Sequence, residues 1–280
     1  MIGRHGPDSL GDVRKRERRL KRQRAHRESR KATQAAREFA DPRGLSVQIT
    51  AQGGIPVTEE SYIFAIEPIR LDGGAELWFQ SPHVPPFYLL TAKMFRDRAE
   101  PKRVAAVTAT TETPDGTLRP LNAKGAFDAI EGLAISVILA AAAIEAHAND
   151  MISRLDEAAQ ITVTRRGMAH VYERDSMERS LGLEEKLDLV GPLFTGRPSI
   201  KGTSPWEAYR RVVDLRNELV HPKREAVPKY DPDDPSPYGL LMRGKGSRAP
   251  EDAATVIEAI EPGWIPNRIR GELGLPPRGS

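Results

Sequence analysis

The residues predict an α+β fold: a basic N-terminal arm, a small mainly β region, then a C-terminal α-helical bundle. Three observations carry this. In the second half of the 280-residue chain, apolar residues recur at three- and four-residue steps, the period of helices packed on one face. Over about residues 45–121, short β-branched and aromatic runs alternate with Gly, Asp and Pro turns. Residues 14–31 hold almost nothing apolar to bury. The expected organisation is an arm over 1–44, a β-rich region over 45–121, a helical domain over 122–265 and a tail over 266–280.

The arm dominates the charge pattern. Residues 1–40 carry thirteen Lys/Arg against five acids, a net +8, so the formal +3 of the whole chain leaves −5 for the remainder. Arg14, Lys15, Arg16, Arg18, Arg19, Lys21, Arg22 and Arg24 form its densest part. A block of this kind repels itself and attracts polyanions such as RNA, with an affinity that falls as salt rises. A solubilising arm with no specific target has the same composition.

Absent residues exclude some classes. With no cysteine there is no disulfide, thiolate metal site or cysteine nucleophile, which fits a reducing cytoplasm. No hydrophobic segment follows the N-terminal charges, so a secretory signal is not expected. The apolar run from Leu133 to Ile144 is short and alanine-rich, and reads as a buried helix, not a membrane span.

After Pro42-Arg43-Gly44, extended stretches are expected at Leu45–Thr50, Tyr62–Ile69, Ala75–Gln80 and Val104–Thr111, with turns at Asp72-Gly73-Gly74 and Pro114-Asp115-Gly116. A short helix is expected over Phe87–Arg98. Neither Gly53-Gly54 nor Gly73-Gly74 stands in a phosphate-loop pattern. From Phe127 a long helix runs through Leu133, Val137, Ile144, Ala148 and Met151. Residues 160–180 read as irregular, and Leu183–Val190 as a helix stopped by Gly191-Pro192. Ser204 as N-cap, Pro205 at the first helical position and Glu207 as capping-box acid open a helix that runs to about Val220. Pro222 bars helical geometry at His221. Residues 223–249 read as an irregular excursion, Glu251–Glu261 as a last helix and the end from Gly271 as frayed.

The chemistry concentrates at the end of the 204–220 helix. Arg216, Asn217 and His221 stand there in the segment Leu215-Arg216-Asn217-Glu218-Leu219-Val220-His221-Pro222-Lys223. On an ideal helix a five-residue separation is about 140° of rotation, so Arg216 and His221 share a face only if the imidazole swings back where the helix stops. Such a pair suits RNA phosphodiester cleavage without a metal. A neutral imidazole can take the 2′-hydroxyl proton, and a guanidinium can grip the phosphate. One histidine cannot easily serve as base and acid in a single turnover, so the chemistry calls for two copies about a twofold axis. A histidine that merely caps a helix has the same spacing.

This segment resembles the motif of HEPN domains: an arginine, a polar residue after it, and a histidine four to six positions beyond the arginine. The helix carrying Ala143-Ile144-Glu145-Ala146-His147-Ala148-Asn149-Asp150, then the shorter helix, loop and tryptophan-bearing helix, are similar to the order of such domains. The resemblance covers roughly residues 125–262. It implies a four- or five-helix bundle that dimerises, with Arg216 and His221 as catalytic residues and Asn217 as their polar companion. It further implies a metal-independent ribonuclease in a toxin–antitoxin or phage-defence system, with an antitoxin or nucleotidyltransferase as partner. Other members are non-catalytic scaffolds or RNA-binding modules, and that alternative stays open.

Glu145 and Asn149 share a helix face. If that face meets the Arg216/His221 cleft, Glu145 holds one of the pair in place; equally, it satisfies a buried arginine for structural reasons. His147 falls outside this reading, as a surface or packing residue. His83, His147, His170 and His221 show no ligand spacing, so neither a metal nor another cofactor is expected.

Overall fold

The computed structural model describes residues 46–48, 62–64, 66–70, 74, 76–80, 82–114, 116, 118–221 and 236–277. The basic arm with Arg14 to Arg24, and the 222–235 stretch, lie outside the described residues. Helix and sheet are mixed, with helix predominating.

Four two-stranded antiparallel ladders are present among the described residues: β1 (Ser46–Gln48) with β2 (Tyr62–Phe64), β3 (Ile66–Arg70) with β4 (Glu76–Gln80), β5 (Thr110–Glu112) with β6 (Leu118–Pro120), and β7 (Gln160–Arg165) with β8 (Met168–Glu173). The first four strands fall in the stretches where β-branched and aromatic residues predict them. Between β4 and β5 the reading of a mainly β region is corrected. Instead of a short helix over 87–98, α1 spans Val84–Thr108 and takes in Val104. Pro85 and Pro86 sit in its first turn, where a missing N–H costs nothing. Leu89, Ala92, Ala99 and Ala106 give it a buried face of mostly small residues, which lacks the contrast of an amphipathic pattern.

That face lies along α2 (Ala123–Ser153), a 31-residue helix that opens on Asn122, whose side chain accepts the Gly125 N–H at 2.8 Å. The two helices run antiparallel, with Lys102 bonded to Asp128 at 2.9 Å and Gly132 facing Ala99. Leu133, Val137, Ile144, Ala148 and Met151 are buried, as their spacing predicts. By length and composition α2 could cross a membrane, and 44% of its most apolar window is buried inside the protein. It packs against α1, α6 (Ser204–Val220) and α8 (Ala249–Ile260), and its buried residues join theirs in the main core.

Residues 160–180 are not irregular. β7 and β8 turn through Arg166 and Gly167, both at positive φ (51° and 79°), the conformation of a tight two-residue hairpin. α3 (Arg174–Ser180) follows, and a second small core of Ile152, Val163, Met177, Leu181 and Val190 lies beneath the hairpin. Nor does Gly191-Pro192 stop the next helix. α4 (Leu183–Glu185) passes through a π-turn (Lys186–Val190) into α5 (Gly191–Thr195). Pro192 is accommodated because it falls in the first turn after the change of register, and Gly196 at φ 67° makes the stop.

α6 has Thr203, not Ser204, at its N-cap, which shifts Pro205 to the second helical position and leaves Glu207 outside a capping box. α7 (Pro237–Met242) occupies part of the expected excursion. α9 (Asn267–Glu272) replaces a frayed end, since Ile269 and Leu273 bury themselves in the main core.

Candidate functional site

α6 is amphipathic, and its apolar side fixes what its polar side presents. Trp206, Tyr209, Val212 and Leu215 are buried, and burial pushes the Tyr209 hydroxyl up to about 12. Two of the polar-side arginines are neutralised. Arg210 pairs with Asp214 one turn on at 3.1 Å, and Arg211 grips both carboxylate oxygens of Asp252 at 3.1 and 2.9 Å.

Arg216 differs. It is half-buried, and among the described residues no carboxylate pairs with it. Its Nη1 donates to the Asn217 side-chain oxygen at 3.0 Å. The main-chain oxygen of the same Asn217 accepts the N–H of His221 at 2.8 Å. Asn217 thus touches both outer members of the motif, one through its side chain and one through its backbone. His221 is the C-cap (φ −123°, ψ 63°) and its side chain is exposed. Departure from helical backbone at this residue is what Pro222 demands. The arrangement offers a guanidinium with donors to spare and, five residues on, an imidazole open to solvent, the two functions a cleavable phosphodiester needs.

Glu145 and Asn149 do share a face, but it meets the π-turn. The Asn149 side-chain oxygen accepts from Lys186 Nζ at 2.7 Å, and the exposed Glu145 carboxylate acts on the same ammonium. Leu215 near the end of α6 borders the same cleft as Val137 of α2. Eight residues of helix, about 12 Å, separate Val137 from Glu145. Among the described residues neither Glu145 nor Asn149 bonds Arg216 or His221, so the structure does not bring these two groups together within one chain.

Lys186 is a buried group to which the residue pattern assigned no role, and His147 proves to be buried as well. Lys186 is almost wholly buried, and burial holds its ammonium below the usual lysine range. Its position between Leu183 and Val190, three before and four after, already placed it on an apolar stripe. His147 is 0% exposed, and neither ring nitrogen has a hydrogen-bond partner among the described residues. Its ring meets the edge of Trp264 at 4.6 Å, and burial pushes it down to about 3. It lies three after Ile144 and four before Met151, inside the buried stripe, so the packing alternative holds and the surface one does not.

Among the described residues no cluster of His, Asp and Glu has the make-up to hold a metal. No protein-family model, no characterised protein and no solved structure matches this chain.

Proposed function

We propose that the chain is a metal-independent RNA endonuclease of HEPN type, acting in the cytoplasm as a homodimer. Arg216 grips the scissile phosphate, and His221 of one copy takes the proton from the ribose 2′-hydroxyl. The 2′-oxygen then attacks phosphorus, and the 5′-oxygen leaves with a proton from the second copy's histidine. The products are a 2′,3′-cyclic phosphate and a 5′-hydroxyl. The observation that carries the reading is Arg216 itself: a half-buried guanidinium held by Asn217, without a carboxylate among the described residues, five residues before an exposed histidine. Resemblance of the motif to HEPN toxins and phage-defence nucleases sets the biological setting, with an antitoxin or nucleotidyltransferase as partner. The basic arm supplies RNA attraction that does not depend on sequence.

The test is RNA incubated with the purified full chain in excess chelator. Cleavage leaving cyclic phosphate ends, lost in both Arg216→Ala and His221→Ala, is the expected result. Equal activity of wild type and both variants would overturn the mechanism. Clean wild-type protein without activity would leave the bundle as a scaffold or RNA-binding module.

A further inference from the structure

The β7–β8 hairpin leaves a strand edge open. Its two-residue loop closes on Arg165 and Met168, so these two exchange both backbone hydrogen bonds, and bonded pairs recur at every second position. At the far end the Arg174 N–H donates to the Ala159 oxygen at 3.1 Å, in step with that alternation. Ala169, Val171 and Glu173 therefore turn their N–H and C=O groups outward from β8, and Gln160, Thr162 and Thr164 do so from β7.

The β8 edge carries none of the usual devices that blunt an edge. Between Met168 and Tyr172 there is no Pro, Asp, Glu, Lys or Arg, and the register runs without a bulge. Val163 of β7 reaches the small core, whereas β8 leaves Met168 and Val171 each 61% exposed, one on either face. A lone two-stranded ladder gains stability from each further strand.

We propose that the β8 edge is a contact between copies of this chain: two hairpins pair antiparallel about a twofold axis at Val171, giving a four-stranded sheet. The outward-turned groups fix this register. Val171 meets its own counterpart, and Ala169 exchanges hydrogen bonds with Glu173 of the second copy. On the other face His170 stands opposite Tyr172 of the second copy, an aromatic cross-strand pair. Charge fits as well. Arg166 at the hairpin tip and Glu173 at its base are exposed, and neither side chain is paired among the described residues. Antiparallel pairing turns the basic tip of one hairpin toward the acidic base of the other and sets no like charges opposite each other. That self-complementarity selects a second copy over a foreign strand. The contact uses no residue of α6, so it is separate from the catalytic pairing and stands or falls without it. A single strand edge is small for an interface, which makes the association weak and reversible.

The experiment is sedimentation velocity of the full chain over a concentration series, beside Val171→Pro, Val171→Lys and Thr162→Pro. Val171→Pro removes an N–H that β7 does not use, and Val171→Lys sets two cations against each other on the axis. Each should weaken the association at least about tenfold. Thr162→Pro, the same change on the β7 edge, should leave it unaltered; melting curves verify that the variants fold. The chain has no cysteine, so Val171→Cys introduces a single thiol. Opposed residues of a bonded antiparallel pair lie within disulfide reach, and mild oxidation should cross-link Val171→Cys far faster than Thr162→Cys. Wild type that stays monomeric at every concentration, association that survives both Val171 changes, or equal cross-linking at the two positions would overturn the contact.

Discussion

The ammonium of Lys186 donates to the side-chain oxygen of Asn149 across 2.7 Å and so ties the π-turn to the last third of α2. The lysine is 3% exposed, and this is the hydrogen bond that holds it. Glu145 and Glu178 favour its charge from further off, and burial outweighs them.

Asn149→Ala therefore strands a buried cation. A hydrogen bond to a charged group is worth about 1.5–3 kcal/mol, and that loss is the expected fall in urea-unfolding free energy. Adding Lys186→Met to Asn149→Ala should recover most of it, since the apolar chain fills similar space without a charge. If the two losses simply add in the double-mutant cycle, the bond contributes nothing.

His147 should give the protein an acid-sensitive stability. Its folded value, about 3, lies below the ordinary 6.5. Below pH 6.5 the unfolded chain therefore takes up a proton that the folded chain refuses, and stability falls as pH drops through the window from 6.5 to about 3. The slope from this group alone is about 1.4 kcal/mol per pH unit. His83 (half-buried beside Trp264), Asp150, Arg154 and Glu261 are the charged or titratable neighbours, and Arg154 already occupies Glu261 at 2.9 and 2.7 Å. Thermal melts of His147→Leu between neutral pH and pH 4 should be distinctly flatter than those of wild type. Parallel curves would locate the acid response elsewhere.

At Gly132, two effects compete. Alanine in a helix interior gains about 0.5–1 kcal/mol over glycine. Here the new methyl would meet Ala99 Cβ at 2.7 Å and the Phe95 carbonyl oxygen at 3.3 Å, and neither belongs to a flexible side chain. Overpacking of this kind costs about 1–3 kcal/mol, so Gly132→Ala should destabilise by about 1 kcal/mol in denaturant titration. A stabilised variant would mean that α1 and α2 separate easily.

Arg216 has no carboxylate to leave behind among the described residues, so Arg216→Ala should remove cleavage while unfolding free energy stays within about 1 kcal/mol of wild type. A large loss of stability with RNase activity intact would make Arg216 a structural residue.

Deletion of residues 1–40 removes thirteen cations and five acids. RNA affinity should fall and its dependence on salt should flatten, with the cleavage chemistry retained. Loss of chemistry itself would mean that the arm does more than concentrate substrate.

What local pattern determines was legible. The buried stripe of α2, the β3–β4 ladder flanking Asp72-Gly73-Gly74, and the span of α6 to within a residue follow from period, turn residues and Pro222, whereas β6 (Leu118–Pro120) carries no strand signal of its own. The Arg216–Asn217 side-chain bond and the His221–Asn217 backbone bond are local too, spanning no more than four residues. α1 was read too short, since a face of alanines gains its meaning from the helix it lies against. β7–β8 lacks a clear strand alternation because β8 exposes Met168 and Val171, which are three apart and so stand on opposite faces.

The partners of Glu145 and Asn149, the burial of Lys186 and His147, and the cleft between α6 and the 244–252 segment were decided by tertiary structure. Each depends on groups tens to more than a hundred residues apart: Asn149 with Lys186, His147 with Trp264, Val137 with Gly246. Periodicity tells which face of a helix is buried. Which other helix covers it, and at what height along the axis, is settled by packing the whole core at once.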